Sequence, residues 1–215
     1  MKKKIIIAVT GKQGSGKSTL CNYLAKEINA DLFNLDIYAH KALKDEKVKN
    51  ILVKKFGVSI IENGEINRKT LGKIVFKDKS KLNFLNAVTY NFMEKAIKAD
   101  IEKAKDIVIL DYALLPLTSF WGKADYKILM DANLEIRMQR LALRDSVDES
   151  YLKSREKASL DYSNLKVDRY IENNGNLNYS AIAKQIKTAI LQPHKQNYKP
   201  HSLLLNQFNY AHEQH

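Results

Sequence analysis

A glycine-rich segment near the start of the chain carries the clearest chemical signal. Residues 11–18 read GKQGSGKS and match the pattern G-x-x-x-x-G-K-[ST] at every fixed position. The glycines allow a tight turn that aims successive backbone N–H groups at phosphate oxygens. We expect Lys17 to reach the β- and γ-phosphates of a nucleotide and the Ser18 hydroxyl to ligate Mg²⁺.

The surroundings of this segment support a phosphate-binding loop. An apolar run at 4–9 precedes it and a helical pattern at 17–28 follows it, so the positive end of a helix would face the phosphates. A glycine-rich turn with a purely structural role is the alternative. The predicted nucleotide-binding residues here are Gly11, Gln13, Gly14, Ser15, Gly16, Lys17, Ser18 and Thr19.

Two aspartates stand where apolar runs end. Asp111 closes the run at 106–111, and Asp36 follows the run at 30–35. The carboxyl ends of parallel strands meet at one sheet edge, where α/β proteins bind ligands. There Asp111 could hold Mg²⁺ beside Ser18, and Asp36 could take the proton of a hydroxyl that attacks the γ-phosphate. Alternatively, each carboxylate caps the segment that follows it.

Arginines are placed to bind further anionic groups. Arg68 opens an amphipathic helical pattern and could clamp an anionic acceptor with its bidentate guanidinium. Arg140 and Arg144 are four residues apart and share one helix face, from which they could cover a bound nucleotide. Alternatively, Arg68 is simply at a solvated helix end, and Arg140 and Arg144 belong to an ordinary surface with salt bridges.

The elements that must position these residues alternate along the chain. Apolar runs at 4–9, 30–35, 106–111, 125–130 and 167–171 predict strands, and helical periodicity marks 17–28, 78–105, 132–144 and 178–191. The long helix should place Leu82, Leu85, Val88, Phe92, Ala96 and Ile97 on one broad face. Such alternation predicts an α/β domain around a parallel sheet. Residues 192–215 read as a polar, loosely ordered tail.

Composition limits the classes of protein. With 215 residues, 45% of them apolar, the chain is large enough to bury a substantial core. A single cysteine, Cys21, excludes a disulfide framework and a cysteine-based zinc site. The N-terminal apolar run is too short for a signal peptide, so we expect a cytoplasmic protein without a membrane span. The formal charge of +12 favours anionic partners. Alternatively, the excess lysines only keep the protein surface solvated.

The loop alone leaves the reaction open, because GTPases, ATP-driven machines and small-molecule kinases all use one. We find no Asn-Lys-x-Asp segment for reading guanine, and ATP-driven machines are usually longer than this chain. A small-molecule kinase fits the size. It needs a base, an acceptor-binding segment and a mobile basic lid.

Five motifs, taken in order over about residues 4–190, resemble those of the dephospho-coenzyme A kinase family. They are the loop at 10–19, LDIYAH at 35–40, RKTLGKIVF at 68–76, RLALRD at 140–145 and DRYIENNG at 168–175. The third is the most specific to that family. The sequence departs from the family pattern by Asn34 in place of an acid, Thr89-Tyr90 in place of His-Pro, Ala113 and Leu117 in place of proline and glutamate, and Ser159 in place of a lid glutamine that follows Arg155.

The resemblance implies a fold and a reaction. It implies a P-loop kinase domain over 1–191 with a three-layer α/β/α fold, a five-stranded parallel sheet, a helical substrate-binding region at about 60–105 and a lid at about 145–165. The reaction would transfer the γ-phosphoryl group of ATP, with Mg²⁺, to the ribose 3′-hydroxyl of dephospho-coenzyme A.

The resemblance also assigns roles to residues. Asp36 would be the base and Lys17 would hold the phosphates. Arg140 and Arg144 would lie over ATP, Ser18 and Asp111 would face the metal, and Asp36, His40, Arg68 and Leu71 would bind the acceptor. A kinase with another nucleoside or nucleotide acceptor is the second hypothesis. A degenerate nucleotide-binding or nucleic-acid-binding protein is the third, although no base-stacking motif or recognition helix supports it, so we expect no nucleic-acid partner.

Overall fold

The computed structural model describes residues 3–145 and 149–191, and the predicted tail at 192–215 lies outside them. The strands in this part of the chain are β1 (Ile5–Thr10), β2 (Asp31–Asn34), β3 (Ile61–Glu62), β4 (Glu65–Ile66), β5 (Ile107–Asp111), β6 (Tyr126–Asp131) and β7 (Arg169–Glu172). The helices are α1 (Lys17–Ile28), α2 (Leu35–Ala42), α3 (Glu46–Phe56), α4 (Arg68–Val75), α5 (Lys79–Lys103), α6 (Leu134–Asp145), α7 (Glu149–Lys157) and α8 (Tyr179–Leu191).

Five of the strands form the parallel sheet that the sequence predicts. Their order is β2-β5-β1-β6-β7, with every neighbouring pair parallel. The central strand β1 pairs Val9 with Asp111 of β5, and β2 pairs Asn34 with the same aspartate. This register brings the ends of β1, β2 and β5 to one edge of the sheet. The segments that carry Lys17, Ser18, Asp36 and Asp111 therefore converge there.

The sheet is covered on both faces, which gives the three-layer arrangement. On one face α1 and α8 pack together over a core that includes Ile7, Leu24 and Ile186. On the other face α2 and α5 pack together over a core that includes Ala8, Leu35 and Ile97. The strands are apolar on both sides because both faces are buried.

A smaller unit extends from the second face. The antiparallel hairpin β3–β4, helices α3 and α4 and the first turns of α5 enclose a separate core that contains Val48, Leu52, Ile60, Leu71 and Val75. This unit includes most of the region at about 60–105 for which the resemblance implies a helical substrate-binding region. The hairpin is the exception to that expectation. Asn63 and Gly64 both have positive φ at its turn, as a two-residue hairpin loop requires.

The long helix α5 does not bury one continuous face as predicted. Leu82, Leu85 and Val88 pack against the smaller unit, whereas Ile97 packs beneath the sheet. Phe92, expected on the buried face, is 40% exposed. A helix of 25 residues passes from one core to the other, so its apolar positions drift around the axis.

Candidate active site

The phosphate loop joins β1 to α1 at the carboxyl edge of the sheet. Gly11 has φ +135°, and a side chain there would place its Cβ 1.9 Å from the carbonyl oxygen of Met130 on β6. Gly16 caps α1 with φ +94°, and a Cβ there would meet the Asn173 amide at 2.4 Å. Both positions therefore require glycine, because of the backbone conformation and because β6 approaches Gly11 and the Asn173 side chain approaches Gly16 so closely. The loop shape that the sequence predicts is present.

Lys17 lies in the first turn of α1 and is only 9% exposed. Its Nζ donates a hydrogen bond to the loop carbonyl of Lys12 at 3.0 Å, so the ammonium group stands inside the loop. Burial lowers the pKa of Lys17, and the nearby charges of Asp111 and Asp36 oppose that effect. The three groups are thus close enough to interact electrostatically.

Ser18 and Asp111 meet across α1 and β5. The Ser18 hydroxyl donates to Oδ2 of Asp111 at 2.6 Å. Burial raises the pKa of the Asp111 carboxyl, while the Ser18 hydrogen bond and the Lys17 charge act in the opposite direction. A hydroxyl and a carboxylate oxygen are donors that suit Mg²⁺. Within the described residues there is no group of three or more His, Cys, Asp or Glu side chains that could hold a metal, so an ion at this pair would need nucleotide or water oxygens as further ligands.

Asp36 is exposed in the first turn of α2. The cap of this helix is Asn34, whose Oδ1 accepts the backbone N–H of Asp36 at 2.9 Å. Asn34 therefore performs the capping role that we considered for Asp36, and the carboxylate of Asp36 remains available at the edge of the sheet. Asp36 lies two residues after Asn34, which pairs with Asp111 on β5, and one helical turn before His40. Burial lowers the pKa of Lys17 and His40 and raises the pKa of Asp111, and the charge of Asp36 opposes the first two shifts and adds to the third.

His40 and Arg68 face each other across the start of the smaller unit. Nη1 of Arg68 lies 2.6 Å from Nε2 of His40, one helical turn beyond Asp36. Burial and the Arg68 charge lower the pKa of His40. The two residues line a cavity of about 270 Å³, whose walls are His40, Leu43, Lys44, Glu65, Ile66 and Arg68. Leu71, for which the resemblance implies a contact with the acceptor, is only 2% exposed. Its side chain packs in the core of the smaller unit and does not line the cavity.

The two arginines of α6 occupy different positions. Arg140 donates to the carbonyl of Gly14 at 3.1 Å and to Oδ1 of Asn173 at 3.4 Å, and thus rests on the phosphate loop. Arg144 is bound by the neighbouring Asp145 at 2.5 Å, and its charge also acts on Lys17. Arg140 therefore supports the loop, while Arg144 lies beside it with a more exposed side chain.

Several residues of this site were not among those that we selected from the sequence. Asn173, 2% exposed after β7, donates to the carbonyl of Ser15 at 2.8 Å and contacts Tyr179. Arg137 and Glu156 pair beside the loop, and Lys12 joins them. Asn173 stands in the late motif, which was a usable signal. The pairing of Arg137 with Glu156 joins two different helices, α6 and α7, and no local sequence pattern reveals such a pair.

Helix α7 lies within the predicted lid and contacts both the phosphate loop and helix α4 of the smaller unit. Arg155 contacts the side chain of Gln13 in the phosphate loop and pairs with Asp145 at 3.1 Å. Tyr151 stacks edge-on against Phe76, with ring centroids 5.9 Å apart, at the end of α4. The helix thus touches both the phosphate loop and the smaller unit.

Comparison with known proteins agrees with this arrangement. Residues 5–192 match the model of the family described as dephospho-CoA kinase. A dephospho-CoA kinase of Fusobacterium nucleatum is 33% identical over 181 residues, which cover 80% of this chain and 91% of that protein. One from Listeria monocytogenes is 30% identical over 193 residues, which cover 86% and 94% of the two chains.

Solved structures show the same fold. The crystal structure of TT1252 from Thermus thermophilus is 27% identical, with a TM-score of 0.73, over 88% of this chain and 99% of that one. A dephospho-CoA kinase from Campylobacter jejuni is 22% identical, with a TM-score of 0.55, over 86% and 96%. No helix in the described part of the chain is long and apolar enough to cross a membrane.

Proposed function

The chain belongs to the dephospho-CoA kinase family, and on that premise we propose how its residues perform phosphoryl transfer. The reaction converts dephospho-CoA and ATP to coenzyme A and ADP. The observation that carries the residue assignment is geometric: the phosphate loop, Asp111 and Asp36 follow the ends of the neighbouring strands β1, β5 and β2, and Ser18 beside Lys17 donates a hydrogen bond to Asp111.

In this proposal the phosphate loop and Lys17 bind ATP. The loop N–H groups and the start of α1 attract the β- and γ-phosphates. When ATP binds, Lys17 replaces its hydrogen bond to the carbonyl of Lys12 with hydrogen bonds to phosphate oxygens. The negative charge of the phosphates then neutralises the buried ammonium group. Arg140 keeps the loop in shape through Gly14, and Arg144 lies beside the nucleotide phosphates.

Asp36 is proposed as the base. Its carboxylate accepts the proton of the ribose 3′-hydroxyl while that oxygen forms a bond to the γ-phosphorus. The bond from the γ-phosphorus to the β,γ-bridging oxygen breaks, and its electron pair leaves with ADP. Lys17 stands close to the developing charge on the phosphate oxygens.

Ser18 and Asp111 are proposed to hold Mg²⁺. Their oxygens lie 2.6 Å apart beside Lys17, and Asp111 is only 4% exposed, so a carboxylate there has little contact with water until a cation binds. A divalent cation there would neutralise phosphate charge when bound.

The cavity beside Asp36 is proposed as part of the acceptor site. Arg68 and Lys44 supply cationic groups, and His40 supplies a donor. Leu43 and Ile66 supply an apolar wall, and Glu65 lies 4.0 Å from Lys44. The charges suit a diphosphate and the apolar wall suits an uncharged chain, both of which dephospho-CoA contains. We place the reaction in the cytoplasm, where ATP is abundant, and assign the kinase domain to 1–191 with the acceptor region at about 60–105 and the lid at about 145–165.

A coupled assay of ADP release tests the proposal. The purified chain is given ATP and Mg²⁺ with dephospho-CoA, and separately with adenosine or AMP as acceptor. We expect selective turnover with dephospho-CoA. Turnover with adenosine or AMP alone would keep the transfer machinery and reassign the acceptor, and the substitution of Thr89-Tyr90 for His-Pro would then be the first place to look.

A further inference from the structure

A buried arginine beside the phosphate loop depends on a carboxylate from another helix. The side chain of Arg137, on α6, is 3% exposed. Its Nε donates to the carbonyl of Ala132 at 3.0 Å. Its two terminal nitrogens donate to the two carboxylate oxygens of Glu156, on α7, at 2.7 and 2.8 Å. This is a bidentate pair, the strongest geometry for an arginine and a carboxylate.

The same carboxylate binds the phosphate loop. Lys12 donates to Oε1 of Glu156 at 2.8 Å, and Nη1 of Arg137 lies 3.5 Å from the carbonyl of Gln13. Hydrogen bonds from Arg137 and Lys12 lower the pKa of Glu156 to about 2, against the opposing effect of burial. The carboxylate is therefore ionised at neutral pH.

We propose that Glu156 is a positioning residue that fastens helix α7 to the phosphate loop through Lys12 and Arg137. The three residues form a clamp, and their contacts join elements that are 144 and 19 positions apart in sequence. The proposal rests on the assignment of the loop as the ATP site, and adds a residue whose effect on ATP binding is indirect.

The clamp determines the position of the neighbouring Arg155 guanidinium. Arg155 precedes Glu156 on α7 and contacts Gln13 of the loop and Asp145. When Glu156 is held, the Arg155 guanidinium stands beside the loop. If α7 moved away, the buried Arg137 would lose its bidentate partner and keep only the Asp131 carboxylate, whose Oδ1 lies 3.8 Å from Nε, and this loss is costly. The clamp therefore favours the arrangement in which α7 covers the loop.

The substitution Glu156→Gln keeps the shape of the side chain and removes its charge. Glu149→Gln is a matched control, because Glu149 lies on the same helix and its side chain is 77% exposed. The carboxylate of Glu149 forms an ion pair with Lys153, one turn further along α7. Glu156→Asp keeps the charge on a shorter side chain. Hydrogen exchange of α7 amides is measured without ligand, with the amides of β1 as internal reference, and KM for ATP and kcat are measured at saturating dephospho-CoA.

We expect Glu156→Gln to raise exchange in α7 about tenfold while β1 is unchanged, and to raise KM for ATP about tenfold, because fewer molecules hold the binding-competent arrangement. Glu156→Asp should lie between Glu156→Gln and the parent, and Glu149→Gln should match the parent. The proposal is overturned if Glu156→Gln matches the parent in exchange and KM. It is also overturned if exchange in α7 and β1 rises together, since that shows a general loss of stability.

A second variant covers the case in which Glu156→Gln does not fold. Lys12→Met removes one of the two donors and leaves the bidentate pair, so it should change exchange in α7 in the same direction by a smaller factor. No change there would overturn the proposal. The exchange measurement does not depend on the acceptor. A parent enzyme that fails to turn over dephospho-CoA would refute the proposed function, whereas unaltered exchange in α7 would refute the clamp.

Discussion

At the scale of single residues, Asp36 provides the sharpest test of the chemistry. Its carboxylate is exposed in the first turn of α2, since Asn34 serves as the cap. We expect Asp36→Asn to lower kcat by about 10²–10⁴-fold, the range for removing a general base, with little change in the dissociation constant for ATP. Glu46→Gln, in the first turn of α3, is the control and should leave kcat unaltered. A near-normal kcat in Asp36→Asn would remove this residue from the mechanism.

Asp111 should show a conflict between activity and stability. Burial raises the pKa of its carboxyl in the folded state, so its ionisation costs folding free energy as the pH rises through that pKa. We expect Asp111→Asn to be more stable than the parent by about 1 kcal/mol at neutral pH, a rise in Tm of about 2–4 °C. The gain should shrink as the pH falls toward the ordinary pKa of an aspartate. Urea titrations at several pH values measure the difference.

The same substitution should reduce turnover, because an amide replaces a charged oxygen donor beside Ser18. We expect a fall of about ten- to a hundredfold in kcat/KM. A variant less stable than the parent at neutral pH would contradict the prediction. It would mean that attraction to Lys17 outweighs the burial cost of Asp111.

At the scale of elements, the sequence predicts what has a local cause. The apolar runs locate β1, β5 and β6 within about one residue, because buried parallel strands are apolar on both sides. The helical pattern at 17–28 is confirmed over the same residues as α1. The phosphate loop is also local, since its shape is set by glycines at fixed spacing.

Other elements were missed although the sequence contained signals for them. Asp45 caps α3, and Val48 and Leu52 then recur at helical spacing. The dipeptide Asn63-Gly64 marks the hairpin turn. The clamp is different in kind. Nothing near Arg137 in sequence indicates that its partner lies on α7, because that pairing follows from tertiary packing.

The clamp gives helix α7 a dependence on pH. The pKa of Glu156 is lowered in the folded state to about 2 from an ordinary 4.5, so its contribution to stability is present above about 4.5 and is lost as the pH falls toward 2. We expect Glu156→Gln to be less stable than the parent by about 1–3 kcal/mol at pH ~7, after allowance for solvent screening, and the difference to vanish near pH ~2.

Urea denaturation at a series of pH values measures this difference, with Glu149→Gln as the control, whose exposed ion pair should contribute little. A difference between Glu156→Gln and the parent that stays constant from pH ~7 to pH ~3 would show that the carboxylate charge is not what stabilises the contact.

At the scale of the whole molecule, the formal charge of +12 acts on substrates that are themselves anions. Lysines that belong to no catalytic assignment, such as Lys47, Lys54 and Lys55 on α3, add to the positive potential around the acceptor region. A positive field raises the local concentration of ATP and dephospho-CoA, and salt screens exposed charges over about 10 Å at 0.1 M. We therefore expect KM for both substrates to rise about two- to fivefold between about 50 and 300 mM KCl.

The catalytic step should respond less than binding does. Lys17 and Asp111 are buried at the sheet edge, where mobile ions screen charges weakly, so kcat should change by less than about twofold over the same range. Unfolding midpoints recorded at each salt concentration serve as the control, because a loss of folded enzyme would lower the apparent kcat instead. If KM stayed flat while the midpoint was constant, the positive charge would serve only to solvate the surface, and substrate capture would depend on the phosphate loop and the cavity beside Asp36 alone.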